Sequence, residues 1–165
     1  MSARLVAAAA HPTEGASAET IGALLHSGER FWLDLHAPAE EEYALLGTTF
    51  GFHGLAVEDS RHFGQRPKAE DYDDFVFLVV YGWSPDEDGL VEVHCFLTEQ
   101  FLVTVRRDEA PALDALATRV KRSAGGFPDT TLLLYAAIDG LVDGFFPALE
   151  QLDDRLDLIE EHMFA

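Results

Sequence analysis

His53-Gly54-Leu55-Ala56-Val57-Glu58-Asp59-Ser60-Arg61-His62-Phe63-Gly64-Gln65-Arg66-Pro67-Lys68-Ala69-Glu70 is the stretch on which the reading of this chain turns. Leu55–Ser60 suits a short helix that would carry two adjacent carboxylates, Glu58 and Asp59. Neighbouring residues on a helix point about 100° apart. The pair can therefore reach one hydrated ion, or two neighbouring ones, without closing a cage. Mg2+ tolerates such a site because it keeps several waters and takes only one or two carboxylates. Gly64–Lys68 reads as a loop, since Pro67 restricts Arg66 to extended backbone and cannot donate to a strand ladder. An isolated Glu-Asp pair is usually no more than a solvated helix end. The rigid basic turn behind this one sets it apart.

Working outward, the upstream residues predict a strand near Arg4–Ala9, a helix across Ala18–Leu25 and a strand at Phe31–Leu35. Pro38 then suits the first turn of a helix whose Glu40, Glu41 and Glu42 complement its dipole. Tyr43, Leu46 and Phe50 follow at helical spacing, and Gly51 closes the helix. Downstream, Asp74–Trp83 predicts a central strand, and Ser84–Gly89 has turn composition. Leu90–Leu97 and Phe101–Arg106 predict two more strands, joined by only Thr98-Glu99-Gln100, which implies antiparallel pairing. Pro111 opens a helix that ends before Gly125-Gly126.

Asp129 is a good N-cap, and the chain is expected to be helical from there to Ala165, with no Gly or Pro closing the helix. Leu141, Phe145, Leu149, Leu152, Leu156, Ile159 and Met163 make a coiled-coil-like seam along it. The expected fold is mixed α/β (α+β): a mostly antiparallel sheet sandwiched by helices over 1–128, then a helical unit over 129–165. Because that helix has no closing signal, the chain is expected to stop in mid-element.

The chain has 165 residues, 30 of them acidic and 11 basic, for a formal charge of −19. Such a surface repels phosphate backbones and attracts cations, so nucleic acid is not an expected partner. The single cysteine, Cys95, excludes an internal disulfide and is read as a small core residue. Seven scattered histidines form no tetrahedral zinc pattern. His94 and Cys95 would face opposite sides of a strand. No signal peptide or membrane span is expected, and the longest apolar run, Phe75–Val80, is strand-sized. There is no nucleophile elbow, Ser-His-Asp pattern or dinucleotide fingerprint, so no enzymatic role is expected.

The opening stretch resembles the signature of the soluble domain of CorA-type divalent-cation transporters, approximately His-Pro-Leu-x-x-Glu-Asp, a spacer, then Gln-Arg-Pro-Lys. The resemblance runs from about Phe31 to the C-terminus. One departure is Gly54, where the family pattern has proline, and a slightly altered turn is expected there. Tyr135-Ala136-Ala137-Ile138-Asp139-Gly140-Leu141-Val142-Asp143 resembles a second family motif, Tyr-x-x-x-Asp-x-x-Val-Asp.

The resemblance implies a cytoplasmic domain that senses Mg2+, or Co2+ or Ni2+, and gates a pore outside this chain. Metal contact would fall to Glu58, Asp59 and Asp139, with Asp143 a weaker candidate. Gln65, Arg66, Pro67 and Lys68 would brace the helix of the acidic pair. In such transporters ions bind between subunits of a homopentamer on the cytoplasmic face of the membrane. This chain alone would then hold half of the primary site, bind cation weakly or not at all, and be a monomer or dimer. Two other readings stand beside this one. They are a zinc-transporting relative with the same fold, and a free-standing acidic module that pairs with a partner helix through the terminal seam.

Overall fold

The computed structural model describes residues 2–7, 13–14, 17–84, 89–123 and 127–164. Its strands are β1 (Ser2–Ala7), β2 (Thr13–Glu14), β3 (Phe31–His36), β4 (Lys68–Tyr72), β5 (Phe75–Ser84), β6 (Gly89–Leu97) and β7 (Phe101–Arg106). Its helices are α1 (Ala18–Ser27), α2 (Glu40–Thr48), α3 (Gly54–Arg61), α4 (Pro111–Arg122), α5 (Thr130–Asp143) and α6 (Phe146–Phe164). The strands form one sheet in the order β2-β1-β3-β7-β6-β5-β4. Among the described residues only β3 and β7 pair in parallel, and the other pairs are antiparallel. The mixed sheet between helices is the expected fold class.

The two-residue period of the strands divides the core. Phe31, Leu33, Phe77, Val79, Phe96 and Val103 face one side and pack with Ile21 of α1, Tyr43 and Leu46 of α2 and Ala56 of α3. Trp32, Val91, Val93, Cys95 and Leu102 face the other, under Leu113 and Leu116 of α4 and Leu133, Ala137 and Leu141 of α5. His94 and Cys95 are both buried, on opposite faces as expected. Gly82 of β5 allows α5 its close approach, because a Cβ there would lie 2.5 Å from Leu141 Cδ2. Gly51, at φ +73°, turns the chain out of α2 and lets the Phe52 N–H bond the Leu46 carbonyl at 3.0 Å.

Three features depart from the sequence-based expectation. The first is β4, the edge strand that begins at Lys68, within the expected loop. Its Lys-Ala-Glu-Asp-Tyr composition has no apolar alternation, and a sheet edge tolerates that. The second is the two-residue strand β2, which is too short to have left a pattern.

The third departure is in the terminal helix, which is not continuous. Pro147 has no N–H to offer the carbonyl of Asp143, and the chain makes a tight turn through Gly144 and Phe145 before α6 begins. Residues 85–88, 124–126 and 165, on which parts of the turn and helix-end expectations fell, lie outside the described residues.

By length and composition Thr130–Met163 is apolar enough to cross a membrane, where no such segment was expected. Leu133, Leu134, Ala137 and Leu141 within it are buried against the sheet. The seam divides accordingly. Leu141 is buried, whereas Leu149, Leu152, Leu156, Ile159 and Met163 of α6 are exposed.

Candidate functional site

Helix α3 is only eight residues long, so packing has to hold it in place. Phe52, immediately before it, is buried in a cluster of rings, stacking on Phe96 at 4.3 Å and tilted against Phe75 at 4.7 Å. His53 then caps the helix, its Nδ1 accepting the Leu55 N–H at 3.3 Å. The helix begins at Gly54, where the family pattern has proline, and a Cβ at that position would meet no atom within 4 Å. Arg61 fastens the far end to α2 by donating to Glu40 at 2.5 Å and lying over the Tyr43 ring at 4.7 Å.

On this helix Glu58 is exposed, and its carboxylate has no partner among the described residues. Asp59 is half-buried and engaged, with Oδ2 accepting from Lys68 Nζ at 2.5 Å. Lys68 also reaches Glu70 Oε1 at 3.0 Å, and the hydrogen bond to Asp59 holds its ammonium above the usual lysine value against the opposing effect of burial. Gln65 Nε2 donates to the backbone carbonyls of Asp59, at 2.6 Å, and His62, at 2.7 Å, closing the C-terminal turn of α3. Gln65 and Lys68 thus both touch the acidic pair's helix. Arg66 and Pro67 are exposed, and Arg66 has no ion pair among the described residues.

A second layer of polar groups lies beneath. Glu92 of β6, 6% exposed, accepts from the backbone N–H of Gly64, from that of Gln65 at 3.2 Å, and from the Tyr81 hydroxyl at 2.9 Å. His94, fully buried, places Nε2 2.8 Å from Glu92 Oε1 and Nδ1 3.2 Å from the carbonyl of Ser60 in α3. Both ring nitrogens face oxygen acceptors, so both contacts are hydrogen bonds only when both nitrogens carry protons.

Burial works to raise the Glu92 carboxyl. The donors His94, Gly64, Tyr81 and Gln65 outweigh it and hold the group below the usual carboxylate range. Burial, with the Glu92 carboxylate beside it, pushes the Tyr81 phenol up to about 12. The sheet therefore grips the Gly64–Gln65 turn through the Glu92 carboxylate and α3 through His94, which the same carboxylate holds.

Glu92 and Tyr81 did not figure in the sequence reading, and His94 appeared there only as a strand residue facing the opposite side from Cys95. The signal for Glu92 and His94 was their i, i+2 spacing within an otherwise apolar strand, which puts two ionisable groups on one buried face.

Asp139 and Asp143 are exposed on α5, without partners among the described residues. They belong to the opposite side of the sheet from α3. The structure thus does not gather Glu58, Asp59 and Asp139 around one point of a single chain. Among the described residues no group of three or more His, Cys, Asp or Glu side chains is arranged to hold a metal ion. An ion touching these carboxylates would need further ligands from water or from another subunit.

A sequence model of the family described as CorA-like Mg2+ transporter protein matches residues 28–165. YfjQ of Bacillus subtilis is 35% identical over 136 residues, covering 79% of this chain and 41% of that protein. The cobalt/magnesium transport protein CorA of Thermotoga maritima is 31% identical over 124 residues, 72% of this chain and 35% of that one. The chain thus spans less than half the length of either relative. Among solved structures, the soluble domain of CorA from Methanocaldococcus jannaschii superposes with a TM-score of 0.75 at 17% identity, covering 98% of this chain and 64% of that one.

Proposed function

From the premise that this chain belongs to the CorA-like Mg2+ transporter family, we propose that it is the cytoplasmic regulatory domain of a divalent-cation transport protein. In that protein Glu58, Asp59 and Asp139 serve as cation contacts at subunit interfaces. The observation that carries this reading is the presentation of Glu58 and Asp59. They stand on the outer side of a short helix braced from beneath by Gln65, Lys68 and the buried Glu92–His94 pair. The helix is held while its carboxylates stay accessible.

The donor set is all oxygen, which suits a hard cation such as Mg2+, with Co2+ and Ni2+ as further candidates. No cluster of His or Cys among the described residues favours Zn2+. The domain performs no chemistry on the ion, which is the transported cargo as well as the signal.

In a homopentamer at the membrane, ions shared between the acidic faces of neighbouring subunits relieve their repulsion and hold a closed state. Loss of ions leaves like charges facing each other and shifts the population toward separation and opening. A ligand shifts such an equilibrium only by its difference in affinity for the two states. Measured ion flux through the full-length protein provides the test. Asp59→Asn together with Asp139→Asn should require a higher Mg2+ concentration for closure, and unchanged inhibition by Mg2+ would defeat the proposal.

The exposed row from Leu149 to Met163 on α6 supports a second reading, an acidic module whose helix pairs with a partner. Self-association indifferent to Mg2+ would favour it.

A further inference from the structure

Asp59 does not wait with a free carboxylate. Lys68 Nζ lies 2.5 Å from Asp59 Oδ2 and 3.0 Å from Glu70 Oε1, and 5.3 Å from the centroid of the Phe77 ring. Lys68 and Glu70 sit at i, i+2 on β4, opposite Val79 and Phe77 of β5, so both face the α3 side of the sheet. The ammonium is seated by two carboxylates and a ring, and none of its holders is a flexible surface loop. Its side chain is 26% exposed, against 37% for Asp59 and 40% for Glu70, so it reaches the acid from below and leaves the outer side open.

We infer that Lys68 is a built-in monovalent occupant of Asp59, which an incoming ion must displace and which thereby sets a valence threshold for the site. This deepens the proposed function and rests on its assignment of Asp59 as a cation contact. A monovalent ion that replaces the ammonium exchanges one unit charge for another and gains nothing. A divalent ion brings twice the charge to the same carboxylate and gains from the exchange. Glu70 makes the exchange reversible, because the displaced ammonium keeps one partner and stays within reach of Asp59. The arrangement would keep abundant monovalent cations off the site while leaving it responsive to Mg2+.

The test is a titration of this chain with Mn2+ alone, read as paramagnetic broadening of the amide resonances of α3 and β4, at low and at high KCl. Lys68→Met should tighten Mn2+ binding near Asp59 by roughly three- to tenfold at low salt. It should also make that binding weaken more steeply as K+ is added, because K+ can now occupy the vacated place. Arg66→Met is the charge-matched control, removing one cation from the same turn with no contact to Asp59.

Equal tightening in the two variants would overturn the inference, since only the overall field would then be acting. Unchanged or weakened binding in Lys68→Met would also overturn it, as expected of a residue that only braces α3. Lys68→Gln and thermal unfolding of each variant separate a folding defect from a change in affinity. Broadening that Asp59→Asn does not diminish in the Lys68→Met background would remove the cation-contact assignment itself, and both proposals with it.

Discussion

The two faces of the sheet each bury a charged network, and the networks are built from different chemistry. On the α4 side Asp34 is sealed at 1% exposure. It accepts from Thr104 at 2.7 Å, Arg106 at 3.1 Å and Arg4 at 2.7 Å, and both arginines continue to Asp114 of α4. Trp32 completes it by donating to Thr104 at 3.0 Å. On the α3 side the carboxylate is Glu92, and its partners are an imidazole, a phenol and two backbone amides.

Arginine is charged at every accessible pH and offers a planar fork of donors, so the first network behaves as a permanent rivet. The second network is centred on Glu92, whose carboxyl its donors hold below the usual carboxylate range, so acid that protonates Glu92 weakens it. That network lies beneath the helix of Glu58 and Asp59.

The comparison can be broken first on the rigid side. Asp34→Asn removes the one buried carboxylate that Arg106 meets, leaving it only the more exposed carboxylates of Asp114 and Glu109, and should destabilise the fold by about 3–5 kcal/mol. Chemical denaturation measures this directly, and a loss below about 1 kcal/mol would show that the network is dispensable.

Glu92→Gln on the other face should lose less, about 1–3 kcal/mol, because an amide can accept from only some of the donors that now meet the carboxylate. Its pH signature is the sharper test. Glu92 is held below its ordinary value of 4.5, so its contribution is complete above 4.5 and is lost as pH falls through the folded-state value. The wild-type chain should therefore lose stability on acidification below about pH 4.5 more steeply than Glu92→Gln, and parallel curves would remove Glu92 as the cause.

The smallest effect belongs to Asp139→Asn. The side chain is exposed and without partners among the described residues, so stability should change by no more than about 0.5 kcal/mol. A larger loss would mean that Asp139 has a structural role within the single chain.

How much of this could be read from the residues differed from element to element. Phe31–Leu35, Asp74–Trp83, Leu90–Leu97 and Phe101–Arg106 are dense in β-branched and aromatic residues and were legible as strands. One helix was announced by Pro111 in its first turn and the next by its Asp129 N-cap. β4 was not legible, because an edge strand carrying Lys68, Glu70 and Asp71 has the composition of a loop and becomes a strand only by pairing with β5. The break before α6 was missed, although Pro147 and Gly144 mark it. The apolar spacing from Leu141 to Met163 runs straight across it, since side-chain periodicity does not register a missing backbone hydrogen bond.

The candidate site divides along the same line. Glu58, Asp59 and the Gln65–Lys68 turn were visible in sequence because they lie within a dozen residues of one another and carry a distinctive pattern. Glu92, Tyr81 and His94 were not visible as part of it. A strand two elements away reaches α3 only because the order β6-β5-β4 brings its polar face beneath the helix.

By itself, then, the sequence determined the fold class, the acidic pair and the family, all of which rest on local pattern and composition. Tertiary structure alone decided that Asp59 already holds the Lys68 ammonium, that Glu92 ties the sheet to the turn behind it, and that Asp139 lies across the sheet from both. The physical reason is that charge acts through space. The partners of a carboxylate are set by which strands pair and which faces they share, and no spacing along the chain records that.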